Sequence, residues 1–503
     1  MWVFWVNFTD EDNTLTSDPT VLYQQPLRFI HASDLHLERT IECVTECPAH
    51  WEQRMLDISK RAAERLFQKC LDEEIDFLVL SGNALNTSVA SPGIFLFLIE
   101  QFERLKKAGI AVYWAGGEFD SPEDMPSAFP MPDNIYRFPS NSIQELYFYR
   151  TEGSDALPIA KLVGMSRNQR AKRIRSSEFP PEPGGLFTIA ITNGEVEAET
   201  LTHRYIDYWA MGGNNRRHTF HGNPRKKGPD GKPLPLDPEH RFNGKDKNIK
   251  DKKDLPPQPF IVHYPGATLA RTPADIGDYG ATLVETILDQ SGRPLEEPML
   301  SHFSTSPIRW VNDRVVLEAK DDGGRLADEL RQRLRNYRES QKGDDLLINW
   351  LIDVPLGPLA HHLRSGGLTH DLLSELRAMY GQDEPMTWSV SISVLVPEQL
   401  PKVHYEQQTI LGDFLRSVKY FQDNPQELIH LGGYIPRNWE HDVEIKHLLL
   451  TEKVKDEITD PEDKEPKERW IQSPVQTETQ QRVLREAAMI GVELFAQTTK
   501  ELP

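Results

Sequence analysis

Asp34 and His36 stand two residues apart, just past the apolar run at residues 27–32. Where a segment is extended, alternate side chains project to the same side, so one carboxylate and one imidazole can grip one metal ion. A metal held at a strand tip in an α/β sheet points to hydrolytic chemistry. The arginines suggest a second kind of chemistry. Arg167, Arg170, Lys172, Arg173 and Arg175 lie in one segment, Arg216 and Arg217 in another, and Arg225, Lys226 and Lys227 in a third. The net charge of −20 argues against a surface that is basic throughout, but a local basic stripe is enough to hold phosphates.

The elements that must position these residues are readable in outline. Residues 27–32 and 76–81 are short apolar runs, expected of strands buried on both faces. Between them Ala62/Ala63, Leu66/Phe67 and Cys70/Leu71 repeat at helical spacing. Pro92 opens a second helix, expected to run to about residue 108. A strand is expected at 110–115, with further strand-like runs at 143–149, 159–163, 186–191, 206–211, 260–264 and 281–286. This is an α/β core. Residues 222–259 are dense in Pro, Gly, Lys and Asp and read as a disordered, charged insertion.

Near residue 300 a second pattern begins. Strands are expected at 308–317, 346–354 and 388–396, with helices at 325–340 and 368–379 between them. Residues 401–503 read as mainly helical. Ile410, Leu411, Phe414, Leu415, Val418 and Phe421 form one apolar face, and Val483, Leu484, Ala487, Ala488, Val492 and Phe495 another. An acidic linker at 456–467 separates them.

Composition narrows the class further. The chain has 503 residues, 38% of them hydrophobic, and no apolar run able to span a bilayer. The apolar residues 1–8 lack a basic leader and are followed by Asp10, Glu11 and Asp12, so residues 1–25 read as an extension rather than a secretory signal. Three cysteines are too few for a disulfide framework. Cys43 and Cys47 have no second pair to complete a zinc site, and Cys70 falls on the apolar stripe of a helix. A cytoplasmic location is expected.

Six segments, taken in order, carry a specific resemblance. They are Ile30-His31-Ala32-Ser33-Asp34-Leu35-His36-Leu37, Asp76-Phe77-Leu78-Val79-Leu80-Ser81-Gly82-Asn83, residues 112–122 around Gly116-Gly117-Glu118-Phe119-Asp120, Ile189-Ala190-Ile191-Thr192-Asn193-Gly194, residues 207–215 ending Gly212-Gly213-Asn214-Asn215, and His263-Tyr264-Pro265-Gly266. Together they resemble the calcineurin-like metallophosphoesterases, and within them the SbcD-type DNA repair exonuclease subunit of bacteria. The likeness covers about residues 27–400.

That resemblance implies two mixed β-sheets packed as a sandwich and flanked by helices, a smaller α+β capping domain, and C-terminal helices. The implied divisions are 1–25, 26–300, 301–400 and 401–503. It also implies two Mn²⁺ or similar divalent ions, which in such centres lie roughly 3.5–4 Å apart and activate water between them. Asp34 and His36 match the family's pattern. The aspartate that bridges both ions falls on Asn83. The Asn of the next motif falls on Glu118, its catalytic His on Phe119, and its Asp is retained as Asp120. Two later His positions hold Asn193 and Gly213, and a third holds Asn215.

The expected ligand set is therefore Asp34, His36, Asn83, Glu118, Asn193 and Asn215, with Asp34 and Glu118 as its only carboxylates. Such a set suits at most one weakly bound hard cation such as Mg²⁺ or Ca²⁺. Phe119 cannot transfer a proton, and loss of a general acid costs about 10²–10⁴-fold in rate. Catalysis is expected to be impaired. His203, His218 and His221 are nearby candidates for replacing lost ligands.

Arg167, Arg170, Arg216 and Arg217 are expected to rim the cleft and hold phosphates. The resemblance implies DNA as a partner, an SbcC-type coiled-coil ATPase held through the C-terminal helices, or a homodimer, with no membrane. Two rival readings are an active exonuclease or phosphodiesterase with a rearranged metal shell, and a scaffold with no nucleic-acid role.

Overall fold

A computed structural model of the chain describes residues 25–42, 44, 46–150, 157–167, 174, 176–181, 185–223, 258–318, 320–341, 343–395, 400, 402–424, 452–455, 468–471, 481 and 483–492. Most of the extension at 1–25, most of the insertion at 222–259, the acidic linker at 456–467, Cys43 and Arg170 lie outside the described residues. The chain divides into two units, residues 1–309 and 310–503.

The first unit is built on two six-stranded sheets. The first sheet contains β1 (Gln25–Ala32), β2 (Phe77–Leu80), β3 (Ala111–Ala115) and β4 (Ile135–Phe138), all parallel. The second contains β5 (Gln144–Phe148), β6 (Ala160–Gly164), β7 (Phe187–Asn193), β8 (Tyr208–Gly212), β9 (His218–Gly222) and β10 (Phe260–Tyr264). Its order is β5-β6-β7-β8-β10-β9, with only the two edge strands antiparallel to their neighbours. The chain then returns to the first sheet as β11 (Gly280–Leu288), antiparallel to β1, and β12 (Met299–Ser304) at its edge.

Strand alternation sorts the side chains into layers. Leu27 and Phe29 of β1 face inward and join Phe77, Tyr113, Leu162, Ile189 and Tyr208 in the core between the sheets. Ile30 and Ala32 face outward, where α2 (Ile58–Asp72) and α3 (Pro92–Lys107) cover them with Ala63, Leu66, Phe67, Leu98 and Phe102. These contacts explain the spacing at 62–71, and Cys70 is buried in that layer. The outer face of the second sheet buries Val163, Ala190, Trp209 and Met211 beneath Phe179 and Leu201.

Strands with continuous apolar runs are visible in the sequence, and those without one are not. β4, β9 and β12 lie at or beside sheet edges with partly exposed residues, so neither a run nor a clean alternation marks them. The short α1 (Ala49–Leu56), which buries only Trp51 and Met55, is likewise unmarked.

The second unit has a three-stranded sheet of β13 (Ile308–Val316), β14 (Asp345–Asp353) and β15 (Thr387–Val394). Against it pack α4 (Gly323–Ser340), the short α5 (Pro358–Arg364) and α6 (Gly367–Tyr380), around Leu330, Leu346, Trp350 and Leu376. Asp322 caps α4 by accepting from Arg325 N. After α7 (Lys402–Glu406), α8 (Ile410–Asp423) buries Leu415 and Val418 against Ala488, Met489 and Val492 of the helical residues 483–492. The C-terminal region is not helical throughout, because β16 (Glu452–Lys455) and β17 (Glu468–Ile471) pair antiparallel within it.

Candidate functional site

The loops after β1, β2, β3, β7 and β8 meet at the C-terminal tips of the two sheets, the end of an α/β sheet where ligands characteristically bind. Asp34 and His36 are there, but not by strand alternation. β1 stops at Ala32, and Asp34 (φ 54°) and His36 (φ 44°) adopt left-handed backbone, as does Asn83 (φ 56°) after β2. Bonds between the two loops hold this uncommon geometry. Asp34 N donates to Gly82 O at 2.9 Å, His36 N to Asn83 O at 3.0 Å and Leu37 N to Ala84 O at 3.1 Å. Strained backbone of this kind persists where its surroundings over-determine it, often at functional sites.

The Asp34 carboxylate is 1% exposed and fully engaged. Its Oδ2 accepts from Ser33 Oγ at 2.7 Å and Gly213 N at 3.0 Å, and its Oδ1 accepts from Asn83 Nδ2 at 2.7 Å. The orientation of the Asn83 amide is set by its other end, where Oδ1 accepts from Glu118 N at 2.9 Å, a contact only oxygen can make. Gly117 lies against it so closely that a Cβ there would sit 2.3 Å from Asn83 Oδ1.

Asp120 organises the same loops from below. It is buried and accepts from Asn83 N (2.8 Å), Ala84 N (2.9 Å), Gly117 N (2.6 Å) and Trp114 Nε1 (3.0 Å). Burial raises its pKa, against the opposing pull of those four donors.

The other expected ligands are placed less favourably. Glu118 turns to Arg167, with Oε2 3.1 Å from Nη1. Asn193 is buried and donates through Nδ2 to Ser81 O at 2.7 Å, which leaves its Oδ1 without a partner. Asn215 is exposed, and its side chain joins none of these bonds. Phe119 is half-exposed, its ring 6.1 Å from that of His36. His203, His218 and His221 are exposed, and among the described residues no three His, Cys, Asp or Glu side chains are grouped to share a metal ion.

One member of the site is absent from the sequence-based set. Glu38 sits 3.8 Å from His36 Nδ1, with Asp34 3.8 Å from His36 Nε2, so the imidazole lies between two buried carboxylates. Burial pushes the Glu38 pKa up, but His36 and the N–H of Asn86 outweigh it and hold it below the ordinary value. Continuing the Asp-x-His spacing by two residues would have found it.

Beneath the site, between the sheets, lies a buried polar layer. His31 bonds Tyr208 Oη (3.0 Å) and Ser81 Oγ (2.8 Å), and His263 bonds Thr219 Oγ1 and Thr282 Oγ1, each at 2.8 Å. Burial holds His31 well below its ordinary pKa and lowers His263 to about 3, with Arg217 adding to the second effect. Arg216 and Arg217 are exposed beside the last strand tip, and Arg216 Nη2 reaches Ala274 O at 3.3 Å.

Two close dications repel and need shared anionic ligands. Here Asn83, where the resemblance sets the shared ligand, presents a neutral amide, N–H first, to the Asp34 carboxylate. That arrangement does not fit a two-metal centre.

Comparison with known proteins places the fold. Residues 27–211 match the calcineurin-like phosphoesterase family model, and the two mixed sheets with their flanking helices have the corresponding architecture. The chain is 25% identical over 391 residues to the uncharacterized metallophosphoesterase YhaO of Bacillus subtilis (strain 168), spanning 73% of this chain and 81% of that protein. Residues 27–211 of the first unit are thus similar to the calcineurin-like phosphoesterases, and the two mixed sheets are consistent with that fold. Among the described residues no helix is long and apolar enough to cross a membrane.

Proposed function

We propose that this chain is a phosphoesterase-fold subunit, akin to the SbcD-type exonuclease subunit, that binds DNA or a partner ATPase and has lost most of its hydrolytic power. The observation that carries this reading is the bond from Asn83 Nδ2 to Asp34 Oδ1, which turns an amide N–H toward a carboxylate oxygen that a cation would otherwise need. Phe119 in place of a proton donor supports it, as does the pairing of Glu118 with Arg167. The exposed Arg216 and Arg217, which follow the tip of β8, suit contact with phosphate oxygens, the contacts that position a nucleic acid without reading its sequence.

A second reading rests on His36, held between Asp34 and Glu38. In that reading the chain is an active phosphodiesterase or exonuclease with a rearranged shell and a single weakly held cation. Purified protein assayed with MnCl₂ on a generic phosphodiester and on linear DNA separates the two. Turnover at the level of the buffer blank supports the first reading. Manganese-dependent turnover that disappears in Asp34→Ala overturns it in favour of the second.

A further inference from the structure

We propose that the Asn83 side chain is an internal substitute for a metal cross-link, so that the strand tips of this site are assembled without any cation. The proposal concerns assembly and stands whether or not the chain binds nucleic acid.

Four loops converge on one amide and one carboxylate. Asp34 brings the loop after β1 and Asn83 the loop after β2. Glu118 N brings the loop after β3 to Asn83 Oδ1, and Gly213 N brings the loop after β8 to Asp34 Oδ2. In a two-metal centre the same loops would be drawn together by cations shared between carboxylates. Here every oxygen of the pair already has a donor, at 2.7–3.0 Å. The amide suits the position because it donates at one end and accepts at the other, whereas a carboxylate at 83 would only accept. The substitution Asn83→Asp would bring a second negative charge against Asp34 in a buried place, which a bound cation would have to relieve.

The hydrogen-bond pattern makes a sharper demand, because the pair should work in reverse. Exchanging the two residues, Asp34→Asn with Asn83→Asp, leaves each contact a donor and an acceptor. An amide at 34 would donate to the carboxylate at 83 and still accept from Ser33 Oγ and Gly213 N. The carboxylate at 83 would still accept from Glu118 N.

Thermal unfolding of the full chain in EDTA and in millimolar MnCl₂ tests this, with four proteins. The wild type should have one midpoint in both buffers. Asn83→Asp should unfold several degrees lower in EDTA and recover in MnCl₂. Asn83→Gly, which keeps the left-handed backbone accessible, should be destabilised equally in both. The exchanged double variant should return toward the wild-type midpoint and ignore manganese. Should Asn83→Asp accumulate only as insoluble protein, the exchanged variant decides: a folded, manganese-indifferent product supports the proposal and an insoluble one overturns it. A wild-type midpoint that rises with MnCl₂ as the Asn83→Asp midpoint does would also overturn it.

Discussion

Arg271 donates through Nη2 to the carbonyl oxygen of Leu35 at 2.6 Å, so a buried guanidinium clamps the backbone between Asp34 and His36. The same group reaches Leu269 O and, at 3.3 Å, His36 O. Burial, reinforced by Arg39, lowers its pKa to about 10, while Glu38, Asp275 and Asp34 oppose that shift, so it stays cationic at neutral pH. Arg271→Met would leave the Leu35 carbonyl without its donor and remove the positive charge facing three carboxylates. A loss of about 3 kcal/mol in urea unfolding is expected, with Arg271→Lys recovering part of it.

Asp120 holds its loops by acceptor geometry more than by charge. Its two oxygens accept from four donors, two at residues 83–84 and two at 114–117. Asp120→Asn keeps the size but turns an NH₂ group toward at least one N–H. The expected cost is about 2–4 kcal/mol by chemical denaturation, more than for a typical surface substitution.

Gly82 joins β2 to Asn83 at φ +90°, and a Cβ there would lie 2.6 Å from Gly117 N and 2.7 Å from Asn193 Nδ2. Both the backbone strain and the crowding oppose any side chain. Gly82→Ala should lower stability by about 2 kcal/mol or more, read as a shift in the urea midpoint.

How far these relationships are visible in the sequence depends on what carries them. Asp34, His36 and Asn83 are legible because residue type and motif order mark them, and the buried strands because Phe77–Leu80 and Tyr208–Gly212 are continuous apolar runs. The mode of presentation is not legible. The left-handed backbone at Asp34 and His36 is held by bonds to Gly82 O and Asn83 O, partners on a different strand tip and far along the chain. The Glu118–Arg167 pair is hidden for the same reason, since it joins the loop after β3 to the one after β6. Among the described residues, Arg167 is paired with Glu118, while Arg216 and Arg217 are exposed.

The buried histidines predict a direction for pH dependence. His31 and His263 are neutral in the fold, while the unfolded chain takes up their protons near the ordinary value of 6.5. The unfolded state therefore binds more protons below that pH, and stability falls as pH drops from 6.5 toward the folded His263 value of about 3. The slope is about 1.4 kcal/mol per pH unit for each histidine. Urea unfolding at neutral and mildly acidic pH should show the loss, and His263→Gln should reduce the slope while stability at neutral pH changes less.

If Arg216 and Arg217 hold phosphates, binding of linear DNA should weaken with salt. Replacing both with Ala should reduce the slope of log K against log salt by about 2 and weaken binding to unrelated sequences alike. Gel-shift titrations across a salt series measure both. An unchanged slope would remove these residues from the interface.

Titration of the apo chain with MnCl₂, read by calorimetry and by metal content after desalting, tests whether the strand-tip site lacks a working metal centre. No retained metal and no saturable tight binding are expected. Two manganese ions held per chain, and lost in Asp34→Ala, would contradict that.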